Sequence, residues 1–402
     1  MASTRKAVLL VAEAVTLAHY GRIATLSRAL PASKYRVIVA ADPRFRALDA
    51  IPGVDFHPIW SIPSSQFSQA LALGRPLYDA PTLMRYVEED LALIDAIRPD
   101  LVVGDFRLSL AISAPVRNVP YASVANAYWS PYADIAYPVP DLPFTRLTGI
   151  GLGQALFDLL RPLAFALHAR PLNQIRRHFG LQSLGNDLRA VYSWGNYTLY
   201  ADAPELIPTR PLPANHRHLG PLLWSARAPL PEWWGRLAED KPVVLLTLGS
   251  SGRADLLPMA LAALSELPIT VIAATAGKTD LGDVPANAFV ADYLPLDLAV
   301  QRSRVVICNG GSLMTYLAMA SGVPVLGICS NMDQMLNMNA VKNTGAGLSL
   351  RAALVLPAQL KEAVRSLLDT PTYAAAAGQA GKRFRQVDAG QRFLEFVAEV
   401  LG

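Results

Sequence analysis

The 402-residue sequence holds only two cysteines, Cys308 and Cys329, each closing an apolar run (VVIC and VLGIC). No zinc spacing joins them, so they read as inert strand-end packing in a reducing compartment. Charge is scarce as well, at 17% of residues. The net charge of +4 is scattered apart from LNQIRRHFG at 172–180, which gives nucleic-acid binding little support and fits an anionic small ligand or a lipid headgroup surface as well. G-x-G-x-x-G and G-x-x-x-x-G-K-[ST] are both missing, which disfavours a dinucleotide oxidoreductase and a P-loop enzyme. No apolar run approaches the roughly 18 residues of a bilayer span. Glu13 cuts the run behind Arg5 and Lys6 to six residues, short of a secretory h-region of about 7–15. A soluble, cytoplasmic protein is expected.

What the chain does have is apolar residues, 52% of the total, enough for two well-buried cores. KAVLLVAE, GRIATLSRAL and YRVIVAAD read as strand, helix, strand, and PDLVVGDF and PYASVANAY continue a parallel sheet. Aromatic and proline-rich stretches, PIWSIPSSQFSQALALGRPLY and YWSPYADIAYPVPDLPF, read as loops and short helices above it. A second series begins after a proline-rich connection and runs from PVVLLTLGSS to VPVLGIC. The fold class expected is α/β, with two doubly wound domains over residues 1–215 and 216–385 and a C-terminal helix, 386–402, able to pack back on the first.

Ligands in open parallel sheets sit beyond the carboxyl ends of the strands. In the second half Gly249, Ser250, Ser251 and Gly252 follow one strand, and Asn309, Gly310, Gly311 and Ser312 follow another and open a helix. Both loops offer backbone N–H groups to an anion, the second with a helix dipole behind it. Asp333 and Gln334, in the polar turn SNMDQMLN, pair a carboxylate with an amide, a set that can accept from and donate to adjacent sugar hydroxyls. Arg253 reads either as a cation for the same anion or as a solvated helix-start arginine.

Tyr293-Leu294-Pro295, Asn309-Gly310-Gly311-Ser312, Gly322-Val323-Pro324 and Asp333-Gln334 keep the spacing of a known signature. The chain resembles the bacterial natural-product type of the UDP-glycosyltransferase family, whose GT-B fold sets two Rossmann-like domains facing across a cleft. The resemblance implies a nucleotide-sugar site built from Gly249, Ser250, Ser251, Arg253, Tyr293, Leu294, Asn309, Gly310, Gly311, Ser312, Asp333 and Gln334. Departures accompany it. Asn309 stands where the family has a diphosphate-binding histidine, and no histidine follows His218, so the expected grip is a neutral donor plus backbone amides. Leu317 replaces a ribose-binding glutamate, which suits a deoxyribose and places a dTDP-sugar beside a UDP-sugar as donor.

In the first half the resemblance makes His19, in the loop after the first strand, the catalytic base, with Asp105 at a later strand end orienting it. An alcohol needs such a base, and a carboxylate on the other ring nitrogen fixes the tautomer. Arg22 stands where a proline is common. Trp60, Phe67, Tyr128, Trp129 and Tyr132, with Tyr137 and Phe144 nearby, suit a flat or hydrophobic acceptor. The reaction implied is inverting transfer from a nucleoside diphosphate sugar to a small acceptor, with no metal or other cofactor, and with membrane contact through RPLAFALHARPLNQIRRHFG left open. The alternatives are a non-catalytic binding homologue with a decayed diphosphate site, and a sugar-nucleotide epimerase.

Overall fold

The computed structural model describes residues 5–237, 240–277 and 281–402, with the side chains at 143, 144 and 146 left out; Phe144 as an acceptor-side ring thus lies outside the described residues. The chain divides into two compact units. One comprises Met1–Ala136, Leu142–Leu222 and Asp388–Gly402, the other Tyr137–Asp141 and Leu223–Val387.

The first unit is a seven-stranded sheet made of β1 (Lys6–Ala12), β2 (Tyr35–Ala41), β3 (Asp55–Pro58), β4 (Leu101–Asp105), β5 (Tyr121–Ala125), β6 (Tyr197–Tyr200) and β7 (His216–His218). Its order is β3-β2-β1-β4-β5-β6-β7, with every pairing parallel. The helices are α1 (Leu17–Ala29), α2 (Ser64–Leu73), α3 (Ala80–Ile97), α4 (Leu110–Val116), α5 (Pro143–His178) and α6 (Leu188–Ser193). β1 and β4 are apolar runs buried on both faces, the pattern of a sheet covered by helices on each side. Chain order reverses between β1 and β4, so the switch point of this sheet lies at the ends of those two strands.

The second unit contains β8 (Val243–Thr247), β9 (Thr270–Ala274), β10 (Ala288–Ala291), β11 (Val305–Cys308), β12 (Val325–Cys329) and β13 (Gly347–Arg351). They form a six-stranded sheet in the order β10-β9-β8-β11-β12-β13, parallel throughout. Its helices are α7 (Leu257–Leu264), α8 (Leu296–Arg302), α9 (Ser312–Ala320), α10 (Met332–Asn343), α11 (Pro357–Asp369) and α12 (Pro371–Arg385). Here the switch point falls between β8 and β11. The last helix, α13 (Ala389–Leu401), belongs to the first unit. Phe393, Phe396 and Val397 are buried on it, and the Phe396 ring meets Tyr197 edge-on at 5.2 Å.

Two boundaries differ from the sequence reading. The first unit runs to Leu222 because β7 still pairs with β6. Tyr137–Asp141 belongs to the second unit, where Arg351 Nη1 donates to the Val139 carbonyl at 2.9 Å and to Asp141 Oδ1 at 2.6 Å. A third difference concerns α5. By length and composition the segment Leu147–His178 is long and apolar enough to cross a membrane, because a helix needs no unbroken apolar run, only few charges among its leucines.

Candidate active site

β1 delivers the chain to α1, whose N-cap is Thr16 and whose first turn carries His19. The histidine is therefore helical rather than in a loop, which fixes its backbone and aims its side chain back along the helix. Asp105, wholly buried, is the last residue of β4 and lies in register with Ala12 of β1. The two side chains meet at the switch point, with His19 Nδ1 2.8 Å from Asp105 Oδ1. That contact assigns Nδ1 to the carboxylate and leaves Nε2 as the nitrogen able to take a proton.

Arg22 is the residue whose importance the sequence concealed. One helical turn beyond His19, its Nε donates to Asp105 Oδ2 at 2.6 Å and its Nη2 to Asp105 Oδ1 at 2.9 Å. Nη1 donates to Asn126 Oδ1 at 2.7 Å, and Nη2 also stands 3.0 Å from His19 Nδ1. The forked guanidinium fits a carboxylate in this way, and lysine does not. Burial alone would raise the Asp105 carboxyl, but Arg22 and the hydrogen bond from His19 outweigh it and hold the group below the usual carboxylate range. Glu13, which interrupted the N-terminal apolar run, is also wholly buried, 3.3 Å from Arg107 Nη1.

The aromatic side chains sort into two sets. The His19 ring lies flat on Phe106, centroids 5.0 Å apart. Phe106 meets Phe67 at 6.2 Å and Tyr192 at 5.2 Å, and Tyr192 meets Trp129 at 5.1 Å, all edge-on. Phe106 and Tyr192 are additions to the expected set. Tyr128 is a correction: it is fully buried and cannot line an acceptor site. Tyr132 packs on His216 at 5.3 Å, and Trp60 lies against Tyr86 at 5.3 Å with the Arg85 guanidinium 3.5 Å above its ring. Neither is among the rings grouped on His19.

In the second unit, the loops after β8 and β11 converge on Asn309. Its Nδ2 donates to Ser251 Oγ at 3.0 Å, while its Oδ1 accepts from the Gly311 N–H at 3.1 Å. Asn309 is thus a brace between the two loops, and the Gly310 N–H is likewise engaged, donating to Cys308 Sγ at 3.3 Å. A Cβ on Gly252 would lie 2.1 Å from the Leu248 carbonyl. Gly310 has φ +85°, and a Cβ there would stand 2.7 Å from Met338 Cγ and 2.8 Å from Cys329 Sγ. Its carbonyl accepts from Asn337 Nδ2 at 2.7 Å, and Asn337 also reaches Thr315 Oγ1 at 2.8 Å. Asn337, one turn beyond Gln334, is a second support that the sequence did not flag. Ser312 begins α9.

Asp333 and Gln334 sit in the first turn of α10, capped by Asn331, whose side chain accepts from Gln334 N at 3.1 Å; the expected polar turn is a helix start. Gln334 is only 2% exposed. Its Oε1 accepts from the Ser330 N–H at 2.8 Å, and its Nε2 has no partner among the described residues. A buried donor without a partner is costly unless something else accepts from it. Arg253 is taken up by Asp255, Nε to Oδ1 2.7 Å. Tyr293 donates to the Ala276 carbonyl at 3.3 Å, whereas the Leu294 side chain is buried, so only its backbone could reach a ligand. Both cysteines are buried, and burial pushes the Cys308 thiol up to about 12. No cluster of three or more His, Cys, Asp or Glu able to hold a metal occurs among the described residues.

Two parallel sheets, each with its polar groups gathered at its own switch point, are the GT-B arrangement, and comparison with known proteins carries this further. Residues 258–385 match the family model described as erythromycin biosynthesis protein CIII-like, C-terminal domain. The chain is 50% identical over 384 residues to the PGL/p-HBAD biosynthesis rhamnosyltransferase of Mycobacterium bovis (strain BCG / Pasteur 1173P2), covering 96% of this chain and 85% of that protein. It is 49% identical over 380 residues to the PGL/p-HBAD biosynthesis glycosyltransferase of Mycobacterium tuberculosis (strain ATCC 25177 / H37Ra), covering 94% and 89%. Among solved structures, spinosyn rhamnosyltransferase SpnG complexed with thymidine diphosphate superposes with a TM-score of 0.68 at 20% identity, over 98% of this chain and all of that one. The chain belongs to this family of glycosyltransferases, the bacterial natural-product type of the UDP-glycosyltransferases. It is an enzyme, and the non-catalytic alternative gives way.

Proposed function

We propose that the enzyme transfers a deoxyhexose from a dTDP-sugar, with inversion and without a metal, to a hydroxyl of a small acceptor with an aromatic or hydrophobic body. His19 Nε2 takes the acceptor proton as the oxygen attacks the anomeric carbon. One C–O bond forms from that oxygen while the bond to the diphosphate breaks, and dTDP leaves from the opposite face. Asp105 stabilises the imidazolium. The N–H groups of the Gly249–Gly252 loop and of Ser312, at the start of α9, receive the leaving charge, the task a preorganised set of amides performs without a cation. Gln334 Nε2 finds its acceptor in a sugar hydroxyl.

The observation that carries this reading is the 2.8 Å contact of His19 with Asp105 at the end of β4. The donor choice rests on Leu317, 7% exposed and unable to bond a ribose hydroxyl, on the relative named a rhamnosyltransferase, and on the thymidine diphosphate in the SpnG structure. The rings grouped on His19 support the acceptor class.

The test pairs binding with turnover. Thermal-shift titration with dTDP, UDP and GDP should rank dTDP first, and His19→Ala should keep that binding while losing about 10²–10⁴ in kcat. Full turnover by His19→Ala overturns the base assignment, and a strong preference for UDP-glucose over dTDP-sugars overturns the donor.

A further inference from the structure

α5 is inside out. A surface helix of a globular protein turns its apolar stripe inward and its charges to water. Here the inward face carries Phe157, Phe165, Ala169, Leu172 and Ile175, all buried, yet the outward face is apolar too. Leu152, Leu156, Leu159, Leu160, Leu163 and Leu167 recur at steps of three and four and are 38–75% exposed. They form one stripe about 100° wide. Leu73, at the end of α2, is 43% exposed beside it, where His168 Nε2 lies 3.2 Å from the Gly74 carbonyl. Along the same line the leucines give way to Arg170, Gln174 and Arg177, all exposed. The helix holds a single acidic residue, Asp158.

We infer that this face of α5 docks on an anionic lipid surface, with the helix lying in the plane of the interface. An apolar stripe continued by exposed arginines meets both demands of such a surface, acyl chains for the leucines and headgroup charge for the guanidinium groups. Crossing the bilayer is ruled out by the inner face. Asn173 Nδ2 donates to the Gly185 carbonyl at 2.7 Å and Arg176 Nε to the Gln182 carbonyl at 2.7 Å, and the buried phenylalanines would leave the core of their own unit. A second copy is the less fitting occupant, because a parallel pairing brings like-charged arginine ends together, and an antiparallel one covers the leucines but offers Arg170 and Arg177 no anionic partner from an α5 whose single acidic residue is Asp158. The inference uses none of the residues assigned to transfer, so the two readings fail separately.

Flotation of the full chain with vesicles tests it. Wild type should float with phosphatidylcholine vesicles containing about one third phosphatidylglycerol, less with pure phosphatidylcholine, and less again in high salt. The triple variant Leu152→Gln, Leu159→Gln, Leu163→Gln should lose at least tenfold in bound fraction while melting at the wild-type temperature, since these side chains are exposed. Arg170→Gln with Arg177→Gln should remove most of the preference for anionic vesicles and leave residual binding. Turnover on a water-soluble acceptor should be unchanged in both. Absence of vesicle binding by wild type, equal flotation of the triple variant, or a dimer by light scattering that the triple variant dissociates would each overturn the proposal.

Discussion

The two switch points solve different electrostatic problems with different materials. At β1/β4 the groups are charged and buried: Asp105 is fully enclosed, and Arg22 grips both its oxygens. At β8/β11 the groups are neutral. Asn309, Ser251 and Asn337 hold the two glycine loops through amide and hydroxyl bonds, and Gln334 holds the turn after β12 in the same way. Under the proposed reaction the first site is a proton acceptor that needs a fixed charge beside it to set its tautomer, and the second meets an anion with neutral dipoles, which add no charge of their own.

Four experiments break or sharpen this contrast. The largest effect is kinetic and confined to the charged site. Asp105→Asn should cost about 10²–10⁴ in kcat with nucleotide affinity unchanged, read by steady-state kinetics alongside calorimetric dTDP binding. Next comes Arg22→Leu, which strands the Asp105 charge in the interior. It should lower stability by about 3–5 kcal/mol in a denaturant melt, while Arg22→Lys restores charge without the fork and recovers only part. In the neutral site, Gly310→Ala forces a side chain into left-handed backbone against Met338 and Cys329. A loss of about 1–3 kcal/mol is expected, together with weaker dTDP binding and no shift in the pH–rate profile. The smallest effect is Gln334→Ala, with about a two- to tenfold rise in donor KM and little change in melting temperature.

Acid should separate the sites as well. Because the folded state holds Asp105 below the ordinary carboxylate pKa, its stabilising contribution is complete above the unfolded value near 3.9 and is lost as pH falls through the lower folded one. Arg22→Leu should remove that share of the acid dependence, measured as stability from pH 6 down to 2. Gly310→Ala should leave it intact.

How much of this could be read from the chain follows from what each signal encodes. Strand-helix alternation announced both sheets, because a buried parallel strand must be apolar, and the paired glycines marked the turns that follow β8 and β11. Arg22 was visible only as a missing proline. Nothing local reveals that an arginine one helical turn past a histidine will fold onto a carboxylate 83 residues away. Asn337 escaped for the same reason. Tyr128 was misplaced because aromatic composition carries no direction, and burial decides it. The α5 leucines mark the sharpest limit. Their spacing predicts an apolar face, and periodicity cannot say that the opposite face is the one turned to the core.

Phe106 gives the first site its shape. Neighbours in an extended strand point to opposite sides of the sheet, so Asp105 and the next residue could not ordinarily address one object. With φ at +60°, the chain takes a single left-handed step as β4 ends, and two consecutive side chains arrive at the same imidazole, one along its rim and the other beneath its plane. A corner of one residue does what would otherwise need a second loop.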